Sequence, residues 1–400
     1  MREATVAWCA DLQPEDAVVQ SMPDASPAKW HLAHTTWFFE QFLLARRPGY
    51  RPLHPEWNYL FNSYYQSLGP MHARPQRGLL SRPTLGEVLD YRQRIDERML
   101  ELLARDEVDA EFAALLALGL NHEQQHQELL LTDIKHLFSL NPLQPVFRER
   151  ATAPGTGPPP GLRFLRGREG VAQIGHGEDG FAYDNETPRH RVLLYAHALA
   201  NRAVTNAEYR AFIEDGGYRT PTLWLSDGWD AACAQAWQRP LYWGQDLQSE
   251  FTLAGVQTLD DAAPVCHVSF YEADAFARWA GARLPTESEW ESAAQQRAVT
   301  GNFADGGTLR PRPATGECGE PLQLFGDVWE WTSSPYVAYP GFSPAAGAIG
   351  EYNGKFMCGQ WVLRGGSCVT PAGHLRPSYR NFFKPDARWQ FSGIRLAQDA

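Results

Sequence analysis

Through the first 140 residues, apolar positions return every three or four residues, the period of helices that bury one face. Three segments stand out: 28–46, 85–105 and 111–140. Ser26-Pro27 opens the first, as a side-chain cap followed by a proline whose missing N–H costs nothing at the first helical position, and Thr84 opens the second. With a weaker helix before Met22, these segments predict a four-helix bundle. The stretch from Pro52 to Pro83 breaks the period and is rich in Tyr, Asn, Gly, Pro and Arg. A connection of that length inside a compact domain usually carries function. After ATAPGTGPPPG (151–161), a Pro/Gly linker, the grammar changes. Short apolar runs alternate with Gly, Pro, Asn and Asp turns, and only 206–215, 271–279 and a segment after Thr286 read as helices. The expected organisation is an all-α bundle over 1–150, a linker over 151–161 and a loop-rich α+β domain over 162–400.

Inside 111–140 lies His122-Glu123-Gln124-Gln125-His126. With no proline and a single glycine in the run, this spacing stacks both imidazoles on one helix face, where they can chelate one metal ion. Gln125 points near that face, whereas Glu123 and Glu128 are rotated about 100° and 200° from the preceding histidine of each pair, poor positions for the same coordination sphere. At least one more ligand is needed. The segment 28–46 offers His31 and His34, of which one is expected to face inward. The pentapeptide also matches the zinc-protease pattern H-E-x-x-H literally. A zinc protease requires a third ligand downstream, and the nearest acidic candidate, Glu149, lies beyond Pro142 and Pro145. The plainest alternative is a pair of satisfied core histidines in a bundle.

Composition narrows the partners. Hydrophobic residues make up 44% and charged residues 21%, an ordinary globular balance, and a net charge of −11 without a local basic cluster argues against nucleic acid and anionic membranes. The first twenty residues carry Glu3, Asp11, Glu15 and Asp16 and no continuous apolar segment, so neither a signal peptide nor a membrane anchor is expected there. Six cysteines without C-x-x-C pairing suggest reduced thiols and a cytoplasmic location. The 14 Trp, 15 Tyr and 20 Phe exceed ordinary usage, and aromatic faces are what a quaternary ammonium ligand requires.

Several longer strings resemble known families. VTNAEYRAFIEDGGY, PVCHVSFYEADAFARWAGARLPTESEWESAA, GDVWEWTSS, VLRGGSC and SGIRLA resemble, in order and spacing, the formylglycine-generating-enzyme-like (sulfatase-modifying factor) domain, a C-type-lectin-like α+β fold. Cys368 stands alone where the naming enzyme carries a cysteine pair, which argues against formylglycine generation. In the first half WHLAHTTWFFE, FNSYYQSLGP and NHEQQHQE resemble the DinB-like four-helix bundle. The combination resembles the EgtB family of ergothioneine-biosynthesis sulfoxide synthases across nearly the whole chain.

That resemblance implies a non-haem Fe(II) oxidoreductase. Its substrates would be hercynine (Nα-trimethylhistidine), O2 and a thiol, either cysteine or γ-glutamylcysteine; its product would be a sulfoxide at C2 of the imidazole. It assigns the metal to His34, His122 and His126 and leaves His31 structural. Gln125 would hydrogen-bond the substrate imidazole, Asn381 would contact its amino-acid end, and Arg74 and Arg77 of HARPQR would hold the carboxylate of the thiol donor. One branch of the family uses a C-terminal tyrosine as proton donor; here only Tyr352 of that pattern remains, with Ile349 where the other would stand. A second branch carries adjacent tyrosines in FNSYY, so the role is assigned to Tyr64 or Tyr65. Phe382 and Phe383, with Trp389 and Tyr379, are candidates to face the trimethylammonium group. Chemistry supports the ligand set: three neutral imidazoles on one face of an octahedral ion leave three positions open. The 162–400 domain is expected to complete the substrate site. A selenoneine synthase on the same scaffold, an H-E-x-x-H zinc hydrolase and a non-catalytic binding module are the competing readings.

Overall fold

The computed structural model describes residues 1–105, 108–149, 158–177 and 179–400. Most of the expected linker, 151–157, lies outside the described residues; 158–161 has no regular structure. The chain forms two compact units, one of Met1–Arg148 with Pro344–Tyr352 and one of Glu149–Ser343 with Asn353–Ala400.

The first unit is helical: α1 (Arg2–Cys9), α2 (Ala28–Phe42), α3 (Trp57–Phe61), α4 (Leu85–Ala104) and α5 (Ala110–Leu140). Local chemistry sets the ends. Thr84 and Glu87 form a reciprocal capping box at the start of α4, and the Asp109 side chain accepts from the Phe112 N–H at the start of α5. α2 begins at Ala28, as expected, but its cap differs. Pro27 occupies the cap, and Ser26 directs its own N–H to Asp133 at 2.8 Å instead of capping the helix.

Every residue of α2 except Gln41 is buried, because α4 and α5 both pack on it. Its polar groups must therefore be satisfied inside the protein. Lys29 donates to the carbonyls of Leu80 (2.6 Å) and Pro83 (2.7 Å), and Glu40 accepts from Tyr50 (2.7 Å), Tyr91 (2.7 Å) and the Leu53 N–H (2.9 Å). Gly119 lets α5 approach α2 closely: a Cβ there would stand 3.1 Å from the Phe39 ring and 3.2 Å from Phe38. One turn further along α5 come the paired histidines.

The second unit is α+β. Its strands are β1 (Phe164–Arg166), β2 (Gly170–Ile174), β3 (His190–Leu194), β4 (His197–Ala200), β5 (Ser249–Thr252), β6 (Gly255–Thr258), β7 (Trp329–Pro335), β8 (Trp361–Arg364), β9 (Asn381–Phe383), β10 (Ser392–Gly393) and β11 (Ala397–Asp399). They form a three-stranded sheet β1-β4-β11, a four-stranded sheet β10-β7-β8-β9 and two hairpins. Helices α6 (Asn206–Glu214), α8 (Phe270–Trp279) and α9 (Glu287–Ala294) fall at the expected places, each opened by a capping box. α7 (Ser226–Ala234) is an addition.

With so little regular structure, buried ion pairs fix this unit's interior. Arg395 holds Glu330 through two hydrogen bonds (2.7 and 2.8 Å), and Glu287 receives both Arg364 (2.9 Å) and Arg380 (2.9 and 3.0 Å). Among the described residues, none of the six cysteines is joined in a disulfide. Among the described residues, no helix is long and apolar enough to cross a membrane.

Candidate metal centre

α2 and α5 bring His34, His122 and His126 together: one ring nitrogen from each lies within 4.8 Å of the others, and all three side chains are buried. Hydrogen bonds decide which nitrogens remain available. His34 Nδ1 donates to the Phe61 carbonyl at 2.6 Å, which leaves its Nε2 as a lone pair facing His122 Nε2 at 3.2 Å. His126 Nδ1 meets His31 Nδ1 at 2.8 Å, so its Nε2 is likewise left over. His122 Nδ1 has no hydrogen-bond partner among the described residues.

Burial pushes His34 and His126 well below the ordinary imidazole range and His122 down to about 3. Neutral imidazole is the form that ligates a metal. Two nitrogens bound to one ion at right angles, each at about 2.1 Å, would be about 3 Å apart, close to the spacing of the His34–His122 pair. The donor set thus fits a divalent transition metal.

Both histidines of α2 face inward, although only one was expected to. His31 reaches past its neighbour to His126 and places its Nε2 2.9 Å from Asp133 Oδ2. Trp30 stacks on His34 at 4.5 Å, and the Arg77 guanidinium sits 3.4 Å above the same indole.

Glu123 turns the other way. Its carboxylate accepts from Arg92, Thr5 and, at 2.9 Å, Arg2. Burial alone would raise this carboxyl, but Arg92 and Arg2 hold it down to about 2. The group that a zinc protease would need as its general base is therefore engaged on the far side of α5.

The other sequence-derived candidates divide between the units. Gln125, half-buried, accepts a hydrogen bond from the Tyr352 hydroxyl, whose ring stands edge-on to His122 at 5.7 Å. Tyr65 is fully buried against Trp37 and Phe42, its hydroxyl 3.5 Å from that of the half-buried Tyr64. Tyr64 meets Tyr352 edge-on at 5.9 Å. The arginine pair is split. Arg77 is buried, donating to Ser26 Oγ (2.8 Å) and Ser63 Oγ (3.0 Å), while Arg74 is exposed and donates to the Asp24 carbonyl. Burial, and secondarily Arg74, holds the Arg77 guanidinium well below its ordinary value, and its Nε has no hydrogen-bond partner among the described residues.

Asn381, Phe382 and Phe383 form β9 of the second unit. Phe382 stacks on Tyr336 at 4.0 Å, Phe383 meets Trp389 edge-on, and Asn381 accepts from the Phe382 N–H. Tyr379 already faces a cation within its own unit, Arg376 at 5.2 Å.

Sequence reasoning keeps Tyr352 only as the remnant of a partial pattern. Its place beside Gln125 and His122 follows from the packing of Pro344–Tyr352 within the first unit, where Glu351 accepts from the N–H groups of Gln66 (2.9 Å) and Ser67 (3.0 Å) and from Ser67 Oγ (2.7 Å). Asp133 was missed as well, although it lies two turns beyond His126 on the same helix face.

A DinB-like bundle bearing three convergent histidines, with a sulfatase-modifying-factor-type domain after it, defines a two-domain metalloenzyme class. DinB superfamily sequences match residues 1–130, and the sulfatase-modifying factor enzyme 1-like domain matches 163–316 and 317–400. The hercynine oxygenase of Mycolicibacterium thermoresistibile is 35% identical, covering 94% of this chain and 88% of its own; that of Mycobacterium tuberculosis is 32% identical, covering 97% and 95%. A formylglycine-generating enzyme of Streptomyces coelicolor is 29% identical but covers only 56% of this chain and 84% of its own. The chain belongs to the hercynine oxygenase (EgtB) family, and as a member it is an oxidoreductase of the ergothioneine-biosynthesis type.

Proposed function

We propose that this enzyme joins a thiol, cysteine or γ-glutamylcysteine, to C2 of the hercynine imidazole in an Fe(II)- and O2-dependent reaction. Thiol, C2–H and O2 give the sulfoxide and one water, so one oxygen atom ends on sulfur and the other takes both hydrogens. The observation that carries this reading is the trio of buried, neutral imidazoles. His34, His122 and His126 would hold the iron, which when bound supplies electrons to O2 and a positive charge that favours thiolate over thiol.

The chain's own residues do the rest. Gln125, oriented by the Tyr352 hydroxyl, hydrogen-bonds the substrate imidazole. Arg77 is a desolvated cation suited to the donor's carboxylate, and Arg74 sits at the exposed end of the same turn, Arg74–Leu79. Tyr64 or Tyr65 supplies a proton from its hydroxyl as oxygen is reduced. Asn381 with Phe382 and Phe383 contacts the amino-acid end and the trimethylammonium group, which offers no hydrogen-bond donor and binds aromatic faces.

Reconstitution with Fe(II), followed by O2 uptake in the presence of hercynine and each thiol, tests the proposal. The expected result is uptake that requires both substrates, with sulfoxide formed. Iron-loaded protein that consumes no O2 in response to hercynine would overturn it.

A further inference from the structure

We propose that Asp133 and His31 are positioning residues of the metal centre, a two-step relay that holds His126 in the tautomer whose Nε2 lone pair is free for an ion. The inference rests on the reading of His34, His122 and His126 as metal ligands.

The tautomers follow link by link. Asp133 Oδ2 already accepts the Ser26 N–H at 2.8 Å, and a carboxylate can only accept. The proton between Asp133 and His31 therefore sits on His31 Nε2, 2.9 Å away. With that proton placed, and one proton on the ring, the Nδ1 of His31 is a lone pair. The 2.8 Å contact between the two Nδ1 atoms then requires His126 to donate, which leaves His126 Nε2 bare. All three side chains are buried, so protein groups and not bulk water must settle each proton.

The order matters because reversing it disables the ligand. Without the Asp133 oxygen, His31 can carry its proton on Nδ1 and donate to His126, which drives the remaining proton onto His126 Nε2, where the ion would bind. Outer partners of ligating histidines commonly contribute 10- to 100-fold in metal affinity. The relay draws on both ligand-bearing helices: His31 precedes His34 by one turn on α2, and Asp133 follows His126 by two on α5.

The test titrates Co(II) alone into metal-free full-length protein. Wild type is compared with His31→Leu, Asp133→Leu, the double variant and Asp133→Asn. Both leucine variants are expected to bind Co(II) about 10- to 100-fold more weakly, and the double variant no more weakly than the worse single one. Asp133→Asn, whose carboxamide oxygen can accept both hydrogen bonds, should stay within about threefold.

A purely structural role would lower the melting temperature of the metal-free protein and leave the Co(II) affinity unmoved, which would overturn the relay. Wild type that binds no Co(II) would remove the metal centre itself, and the relay with it. Should the leucine variants not fold, 15N spectra of histidine-labelled wild type decide. They should show His126 protonated at Nδ1, and protonation at Nε2 would refute the proposal.

Discussion

Glu123→Gln separates the two chemistries that share one pentapeptide. In the structure Glu123 is wholly buried and bound to Arg92 and Arg2, each of which also donates to Thr36. Its carboxyl is held at about 2 against an ordinary 4.5. At about 1.36 kcal/mol per pH unit, the fold favours the ionised group by about 3 kcal/mol. Glutamine keeps the shape and one acceptor oxygen but removes the charge, leaving the buried Arg92 guanidinium and the partly buried one of Arg2 with, among the described residues, only Asp96 opposite Arg2. Breaking a buried pair from one side costs about 3–5 kcal/mol. For a unit of this size each kcal/mol lowers the melting temperature by about 2–4 °C, so a drop of about 10 °C is expected by differential scanning calorimetry.

The sign of the pH dependence follows from the depressed carboxyl. Its stabilisation is complete above 4.5 and is lost as pH falls through about 2, so the acid limb of stability should be shallower in the variant. Affinity for Fe(II) or Co(II) should stay within about threefold, because the carboxylate points away from the three imidazoles. A zinc hydrolase would behave in the opposite way, keeping its stability and losing its general base. An unchanged melting temperature with an unchanged acid limb would refute the ion-pair reasoning. A hundredfold loss of metal affinity would refute the orientation argument.

Three further outcomes are expected. Arg77→Gln should raise KM for the thiol donor about 10- to 100-fold with little change in kcat or in KM for hercynine, measured by O2 uptake, since it removes one half of a charge-assisted carboxylate contact. Of Tyr64→Phe and Tyr65→Phe, one should lower kcat at least about 100-fold at unchanged iron content, whereas Tyr352→Phe should act mainly on KM for hercynine through Gln125; retention of kcat by both adjacent variants would move the proton donor elsewhere. His374 is held at about 3 by burial and then by Arg376, so the unfolded chain takes up a proton below 6.5 that the folded chain refuses; the stability of the second unit should fall as pH drops from 6.5 towards 3, and His374→Phe should flatten that slope in urea titrations.

What could be read from sequence depended on whether the signal was local. α4 was legible because periodicity and the Thr84 cap agree within a few residues, and α5 because its apolar period runs on without a proline; α7 was not, because SDGWDAACA contains Gly228 and has no side-chain cap. The His122–His126 pair was legible because a four-residue step fixes two side chains on one face. The third ligand was not: His31 and His34 are one turn apart on a helix buried nearly all round, and periodicity cannot rank two inward positions. Resemblance singled out His34, and the structure gives a physical reason. The Phe61 carbonyl takes the Nδ1 proton of His34, whereas Asp133 and His126 take both nitrogens of His31.

The least legible features are the most distant in sequence. Tyr352 lies 227 positions from Gln125, and no pattern within either segment announces the contact. The arginine pair is divided between interior and surface for another reason. Three-residue spacing on a 3-10 turn would align two side chains, yet Trp30, Ser26 and Ser63 draw Arg77 inward while Arg74 finds only a surface carbonyl. Sequence spacing thus proposes which groups can meet. The available hydrogen-bond acceptors decide which of them keep a lone pair or a charge to offer, and in this first unit that selection turns four buried histidines into three prospective ligands and one support.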